Sequence, residues 1–229
     1  MTQASTLARF GSRRPVEADR AMVVTSHPLA TEAALDVLKE GGNAADAALA
    51  AAAMQLVVEP HMTAITGGLS MLFRHSVSGI SQYVNGNVNA PLAPLPGYGG
   101  DDISSGRGVP VPGWWPAFVD IAGRWGRTSI ARLLEPAINV ARDGFELNPY
   151  LYGIVYGHLE NLGTHEQGRE VFWPKGELLQ PGDTVRQERM ARTLERLRDE
   201  GDAYWLGDFA QAHAKEARRG GGVITPDDF

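Results

Sequence analysis

Chemistry needs groups that attack, move protons, hold metals or bind charge, and their spacing decides which of these is open. The six histidines, His27, His61, His75, His158, His165 and His213, are scattered and form no HExxH pair. A metal site needs clustered His and carboxylate ligands, so each histidine is expected to be structural. The chain has no cysteine, which removes disulfides, thiolate catalysis and Cys-ligated metals. Phosphate loops of the GxxxxGKS or GxGxxG kind do not occur; "GGN" and "TGG" are too short. There is no GxSxG elbow, and nothing marks a Ser-His-Asp triad. Thr2 would become N-terminal if Met1 were removed, and such a threonine can act as nucleophile and base together. Residues 1–20 read instead as a flexible arm. Trp114-Trp115 could stack on a ligand, but large aromatics mostly bury area, so packing is expected of them.

Composition narrows the partners. The 229 residues carry a net charge of -6 with 43% hydrophobic and 21% charged residues, the balance of an ordinary globular protein with room for a core. No basic block exists, so nucleic acid is not an expected partner. No apolar run is long enough for a membrane span. The first twenty residues lack the apolar core of a secretory signal. A soluble, cytoplasmic protein is the expectation.

The elements that must position any site come next. "AMVVTSH" (21–27) reads as a buried strand. Ser26 or His27, followed by Pro28, can start a helix with Leu35 and Leu38 on one face and Gly41 as its left-handed stop. Asn43 with Asp46 three residues later resembles a capping box. It opens an alanine-rich helix running to Gln55. Alanine favours helix but buries little area. Such a thin helix suits a place between a sheet and other helices, where neighbours approach closely. "LSMLFRH" and "GISQYVNGN" around "SVSG" predict a β-hairpin. Residues 86–116 are Gly/Pro-rich and long enough to suggest function or wrapping. Helices are expected in "AFVDIAGRWG", in "SIARLLEPAINVARDGF" with Leu133, Leu134, Ala137 and Ile138 inward, in "TVRQERMARTLERLRDEG" with Met190, Leu194 and Leu197 inward, and in "GDFAQAHAKEARRGGG". "VIT" (223–225) reads as a short strand. The order is α+β, without regular βαβα alternation. Thr225, Pro226, Asp227 and Asp228 read as the start of a helix, so a continuation of the chain is expected. Residues 21–229 would then be part of one domain.

Five collinear blocks resemble the large-subunit portion of the γ-glutamyltransferase (γ-glutamyltranspeptidase) family. They are "MVVTSHPLATEAALDVLKEGGNAADAALAAAAMQLVVEPHMTAITGG", "VPGWWPAFVDIAGRWG", "LLEPAINVARDGFELNP", "LLQPGDTVRQERMARTLERL" and "GGVITPDDF". The resemblance implies an N-terminal nucleophile hydrolase, a four-layer αββα sandwich, and a precursor that cleaves itself. It implies a small-subunit partner whose new N-terminal threonine is the nucleophile, with its own α-amine as base, and allows a dimer of αβ units. No catalytic residue would lie in this chain, and no cofactor or metal is implied. The substrate would be a small-molecule amide. The glycines Gly67 and Gly68 of "PHMTAITGG" are placed by the resemblance near the catalytic threonine, where they allow close backbone approach. His61 is expected to be structural.

One departure from the family pattern bears on the substrate. After the hairpin the family has a pattern like Asn-x-Arg-Glu-x-Ala-Pro, whose arginine pairs with the α-carboxylate of a γ-glutamyl group. Here the stretch is "NGNVNAP": Asn85, Ala90 and Pro91 match, Asn87 stands at the arginine and Val88 at the glutamate. Arginine offers a charged bidentate fork and asparagine a neutral amide. Hydrolysis of an amide other than a γ-glutamyl one is therefore expected, with Asn85, Asn87 and Val88 as pocket wall. Two alternatives stand beside it. One is a true γ-glutamyl hydrolase or transferase in which Asn87 is a turn residue and another cation binds the carboxylate. The other is a non-catalytic homologue.

Overall fold

A computed structural model describes residues 15–229 of the chain. The sequence readings at Thr2 and over most of the N-terminal arm lie outside the described residues.

Pro28–Lys39 forms α1, entered through His27, whose Nδ1 accepts from the Leu29 amide at 3.2 Å. The proton of that imidazole therefore sits on Nε2. Gly41, at φ 98°, turns the chain out of α1 in the left-handed region that glycine adopts without cost. Ala44–Val58 forms α2 behind the expected capping box of Asn43 and Asp46. It runs one turn beyond Gln55, because Leu56, Val57 and Val58 are buried and extend its packed face. The inward residues of α1 are Ala30, Ala33, Ala34 and Val37, whereas Leu35 and Leu38 are only half-buried. Small side chains thus face each other where α1 meets α2. The second helix also packs on α4 (Ile130–Asp143) and on α3 (Trp114–Trp125). This is the close-approach role expected of an alanine helix.

The hairpin pairs β1 (Leu69–Arg74) with β2 (Ser81–Gly86), antiparallel, with Leu69 opposite Gly86 and Arg74 opposite Ser81. Its inner face, including Met71, Phe73 and Val84, joins the main core, and Phe73 stacks on Trp125. Trp114 and Trp115 are both buried, as packing residues. In α4 the stripe Leu133, Leu134, Ala137 and Ile138 is fully buried and meets α8 (Glu188–Glu200). Between them lie β3 (Phe145–Glu146), three short helices α5 (Pro149–Gly157), α6 (Leu159–Thr164) and α7 (Glu166–Phe172), and β4 (Thr184–Val185), which pairs with β3. A three-residue turn α9 (Asp202–Tyr204) and a π-turn over Trp205–Phe209 lead into α10 (Ala210–Arg219).

Two expected strands are corrected. Residues 21–27 form no ladder among the described residues, and Val24 is 84% exposed. Residues 223–225 likewise form no strand; Thr225 caps a short turn over Pro226–Asp228. The cause is shared: β-branched residues favour extended backbone, but a strand exists only with a paired neighbour. The described residues contain two two-stranded sheets rather than two stacked layers.

The C-terminal part adds a pH-sensitive contact. His213 stacks on Phe209, and its Nε2–H donates to the Pro110 carbonyl at 3.0 Å. Burial holds this imidazole below its ordinary value, against the opposite pull of that hydrogen bond. A depressed folded value means that the unfolded chain binds the proton first as pH falls. The stability contributed is full above about pH 6.5, the unfolded value, and is lost as pH drops through the lower folded value. Melting temperature is expected to fall between pH 7.5 and 5, and His213→Phe to flatten part of that slope. An unchanged slope in the variant would refute the assignment.

Candidate functional site

The loop after α2 is pinned at its start. Glu59, buried at the end of α2, accepts from Ser26 Oγ at 2.5 Å and from Gln55 Nε2 at 3.0 Å. Thr63 Oγ1 donates to the Gln55 carbonyl at 2.7 Å. The amides of Met62 and Thr63 donate to the Glu59 carbonyl and that of Gly67 to Ala64. These bonds deliver Gly67 and Gly68 to the end of the hairpin.

There, three backbone segments meet without side chains between them. The Gly67 carbonyl accepts from the amides of Gly113 and Trp114 at 3.0 and 3.1 Å. A Cβ on Gly68 would lie 2.8 Å from the Gly86 carbonyl oxygen and 2.9 Å from Asn87 Cα. One on Gly113 would collide with the Asn87 carbonyl oxygen and lie 2.5 Å from that of Gly86. One on Gly86 would collide with Ala117 Cβ and the Leu69 carbonyl. The glycines are needed for space, since real Cβ atoms essentially never approach that closely.

Asn87 sits at this junction. Its Oδ1 accepts from the Val88 amide at 2.9 Å, and Asn85 Oδ1 accepts from the Asn87 amide at 3.3 Å. Both side chains are exposed and Val88 is half-buried. Two residues on, Asn89 and Val111 exchange both backbone hydrogen bonds. Asn87 is therefore held from both sides, by the hairpin and by this bridge. The structure brings Gly67, Gly68 and Asn87 together. Asn85 lies one step back, opposite Ser70 in the hairpin. His61 is not in this group; its ring packs against Tyr150 of α5. Sequence reasoning missed Gly86 and Gly113. The signal was available in "NGN" and "VPGWW", where a glycine abuts a strand end and a helix start.

Near the junction, at the N-terminus of α3, the amides of Gly113 and Trp114 are engaged by Gly67, and Pro116 has none to give. What remains is a neutral, exposed carboxamide on a rigid backbone. It can donate and accept hydrogen bonds but carries no charge.

The chain matches known proteins along almost its whole described length. The family model for gamma-glutamyltranspeptidase matches residues 30–229. The glutathione hydrolase proenzyme of Bacillus subtilis (strain 168) is 33% identical over 219 residues, covering 91% of this chain and 37% of that protein. The acylase ACY 1 proenzyme of Pseudomonas sp. (strain SE83) is 32% identical over 232 residues, covering 95% of this chain and 42% of its own length. The crystal structure of Helicobacter pylori gamma-glutamyltranspeptidase superposes with a TM-score of 0.86 at 26% identity, covering 93% of this chain and 64% of that one. The chain thus spans about two-fifths of the curated relatives it matches. On the extent of these matches and the shared fold, the chain belongs to the γ-glutamyltranspeptidase family.

Proposed function

We propose that this chain is the large-subunit portion of a self-processed amidohydrolase that cleaves a small amide other than a γ-glutamyl one. The nucleophile is an N-terminal threonine on a small subunit from the same precursor. Its hydroxyl attacks the amide carbonyl and gives its proton to the threonine α-amine, which passes it to the leaving amine. Water then attacks the resulting ester and releases the acid, restoring the hydroxyl. Each step balances without a cofactor.

Two surfaces support a partner polypeptide. Residues 21–25 line a groove together with Leu38, Ala47, Ala51 and Gln55 of α1 and α2. On the outer face of the hairpin, Leu72 and Tyr83 are cross-strand partners at 73% and 62% exposure. A lone two-stranded ribbon is marginal in water, and exposed apolar pairs of this kind favour covering. In the full molecule these elements would join the four-layer αββα sandwich. A dimer of αβ units and a cytoplasmic location are further parts of the proposal, resting on the sequence reading alone.

The observation that carries the substrate reading is the neutral side chain at Asn87, where the family pattern has arginine. Glutathione hydrolase is the name of a relative, so the contrary reading is concrete and the test must separate them. A charged hydrogen bond exceeds a neutral one by about 1–2 kcal/mol. Asn87→Arg in the full-length protein is therefore expected to lower KM for L-γ-glutamyl-p-nitroanilide by roughly 5- to 30-fold. Efficient turnover of that substrate by the unaltered protein, or no gain in the variant, would overturn the substrate reading. N-terminal sequencing of the smaller fragment tests the nucleophile: any first residue other than threonine removes the mechanism.

A further inference from the structure

A cavity of about 260 Å³ lies between the loop after α2 and the helices α5 to α7. Its apolar walls are Pro60, Leu151, Ile154, Val155, Leu162 and Phe172, and its polar lining is His61, with His158 and Asn161 at exposed positions. It shares no lining residue with the junction at Asn87. An apolar cavity of about 150 Å³ already holds benzene, so the volume suits one aromatic ring with a substituent.

His61 is the anomaly in this wall. Both of its ring nitrogens are buried, and neither meets a hydrogen-bond partner among the described residues. An imidazole carries at least one N–H in any tautomer, and buried polar groups are normally satisfied. Its neighbour His158, by contrast, bonds the Ile154 carbonyl through Nδ1 at 2.8 Å. The His61 ring packs edge-on against Tyr150, with centroids 5.4 Å apart, and Tyr150 is itself largely exposed. A half-turn about Cβ–Cγ exchanges the carbon and nitrogen positions of an imidazole. Because neither nitrogen is accessible as the ring stands, a ligand in the cavity would be met by this half-turn of the ring, which needs no movement of the backbone.

We propose that this cavity binds a phenol-sized aromatic ligand carrying one hydroxyl, with the ring among the aliphatic side chains and the hydroxyl bonded to His61. A hydroxyl both donates and accepts, so it serves either tautomer. The inference stands independently of the substrate reading at Asn87.

Fluorine NMR of the full-length protein with 4-fluorophenol and with fluorobenzene tests it. Fluorobenzene is the more apolar probe, so a merely greasy cavity would prefer it. The expected result is binding of 4-fluorophenol at least fivefold tighter than fluorobenzene. His61→Phe keeps the ring shape and removes the nitrogens, and is expected to erase that preference. Ile154→Trp fills the cavity from a half-buried position and is expected to weaken both probes at least tenfold. Failure of 4-fluorophenol to bind up to its solubility, or fluorobenzene binding as well as 4-fluorophenol to the unaltered protein, overturns the proposal. So does a preference that survives in His61→Phe. The first two outcomes need no variant, so a misfolded substitution leaves the test intact.

Discussion

Replacing Asp46 by alanine is expected to destabilise the protein by about 2–4 kcal/mol, the cost of removing one buried acceptor shared by three part-buried main-chain donors. The carboxylate is fully buried. It accepts from the Asn43 amide at 2.8 Å, closing the cap of α2, and from the Arg127 and Thr128 amides at 2.9 and 3.1 Å, at the turn between α3 and α4. The Asn43 side chain completes the link by donating to the Trp125 carbonyl at 2.6 Å. Alanine would leave three main-chain N–H groups without this acceptor and loosen α2 from the α3–α4 turn together. Asp46→Asn keeps one acceptor oxygen and is expected to lose roughly half as much. For a domain of this size each kcal/mol moves the melting temperature by about 2–4 °C, so scanning calorimetry resolves the difference. A loss for Asp46→Ala below about 1 kcal/mol would mean that the carboxylate is only a local helix cap.

Gly113→Ala is the second large effect, and it falls on the junction itself. The added methyl would meet the backbone of Gly86 and Asn87, not the end of a flexible side chain. Either β2 or the start of α3 must shift, which breaks the bonds from Gly113 and Trp114 to the Gly67 carbonyl. Overpacking of this kind costs roughly 1–3 kcal/mol or more. A displacement of about 1 Å at a positioned group can cost on the order of 100-fold in rate. The expected outcome is a lower melting temperature and a loss of activity on the cognate amide larger than the fold loss explains. Gly123→Ala in the same helix is the control. Its Cβ would meet nothing within 4 Å, so it is expected to stabilise by up to about 1 kcal/mol. If the two substitutions behave alike, close backbone packing at Asn87 is not what that glycine provides.

Much of this architecture was legible before any coordinates, and the reasons are local. The Asn43–Asp46 box, the proline after His27, the hairpin and the stripe of α4 are encoded within a few residues of one another. Their geometry follows from capping, backbone restriction and periodicity. The readings that failed depended on distant partners. The 21–27 segment has strand composition but no strand to pair with among the described residues. Met190 is only half-buried on α8 while Ala191 is buried in the stripe, because the facing helix, not the residue's own hydrophobicity, chooses the inner face.

The site divides the same way. The residue types alone determined that this chain lacks thiolate and metal-cluster motifs and carries a neutral amide at position 87. Side-chain chemistry is a property of the residue, so no fold is needed to know it. Only the tertiary structure decided that Gly67, Gly68, Gly86 and Gly113 crowd around Asn87, and that both His61 nitrogens are buried without a partner. Those facts arise where segments far apart in sequence meet, and how closely two backbones approach is settled by packing rather than by local preference.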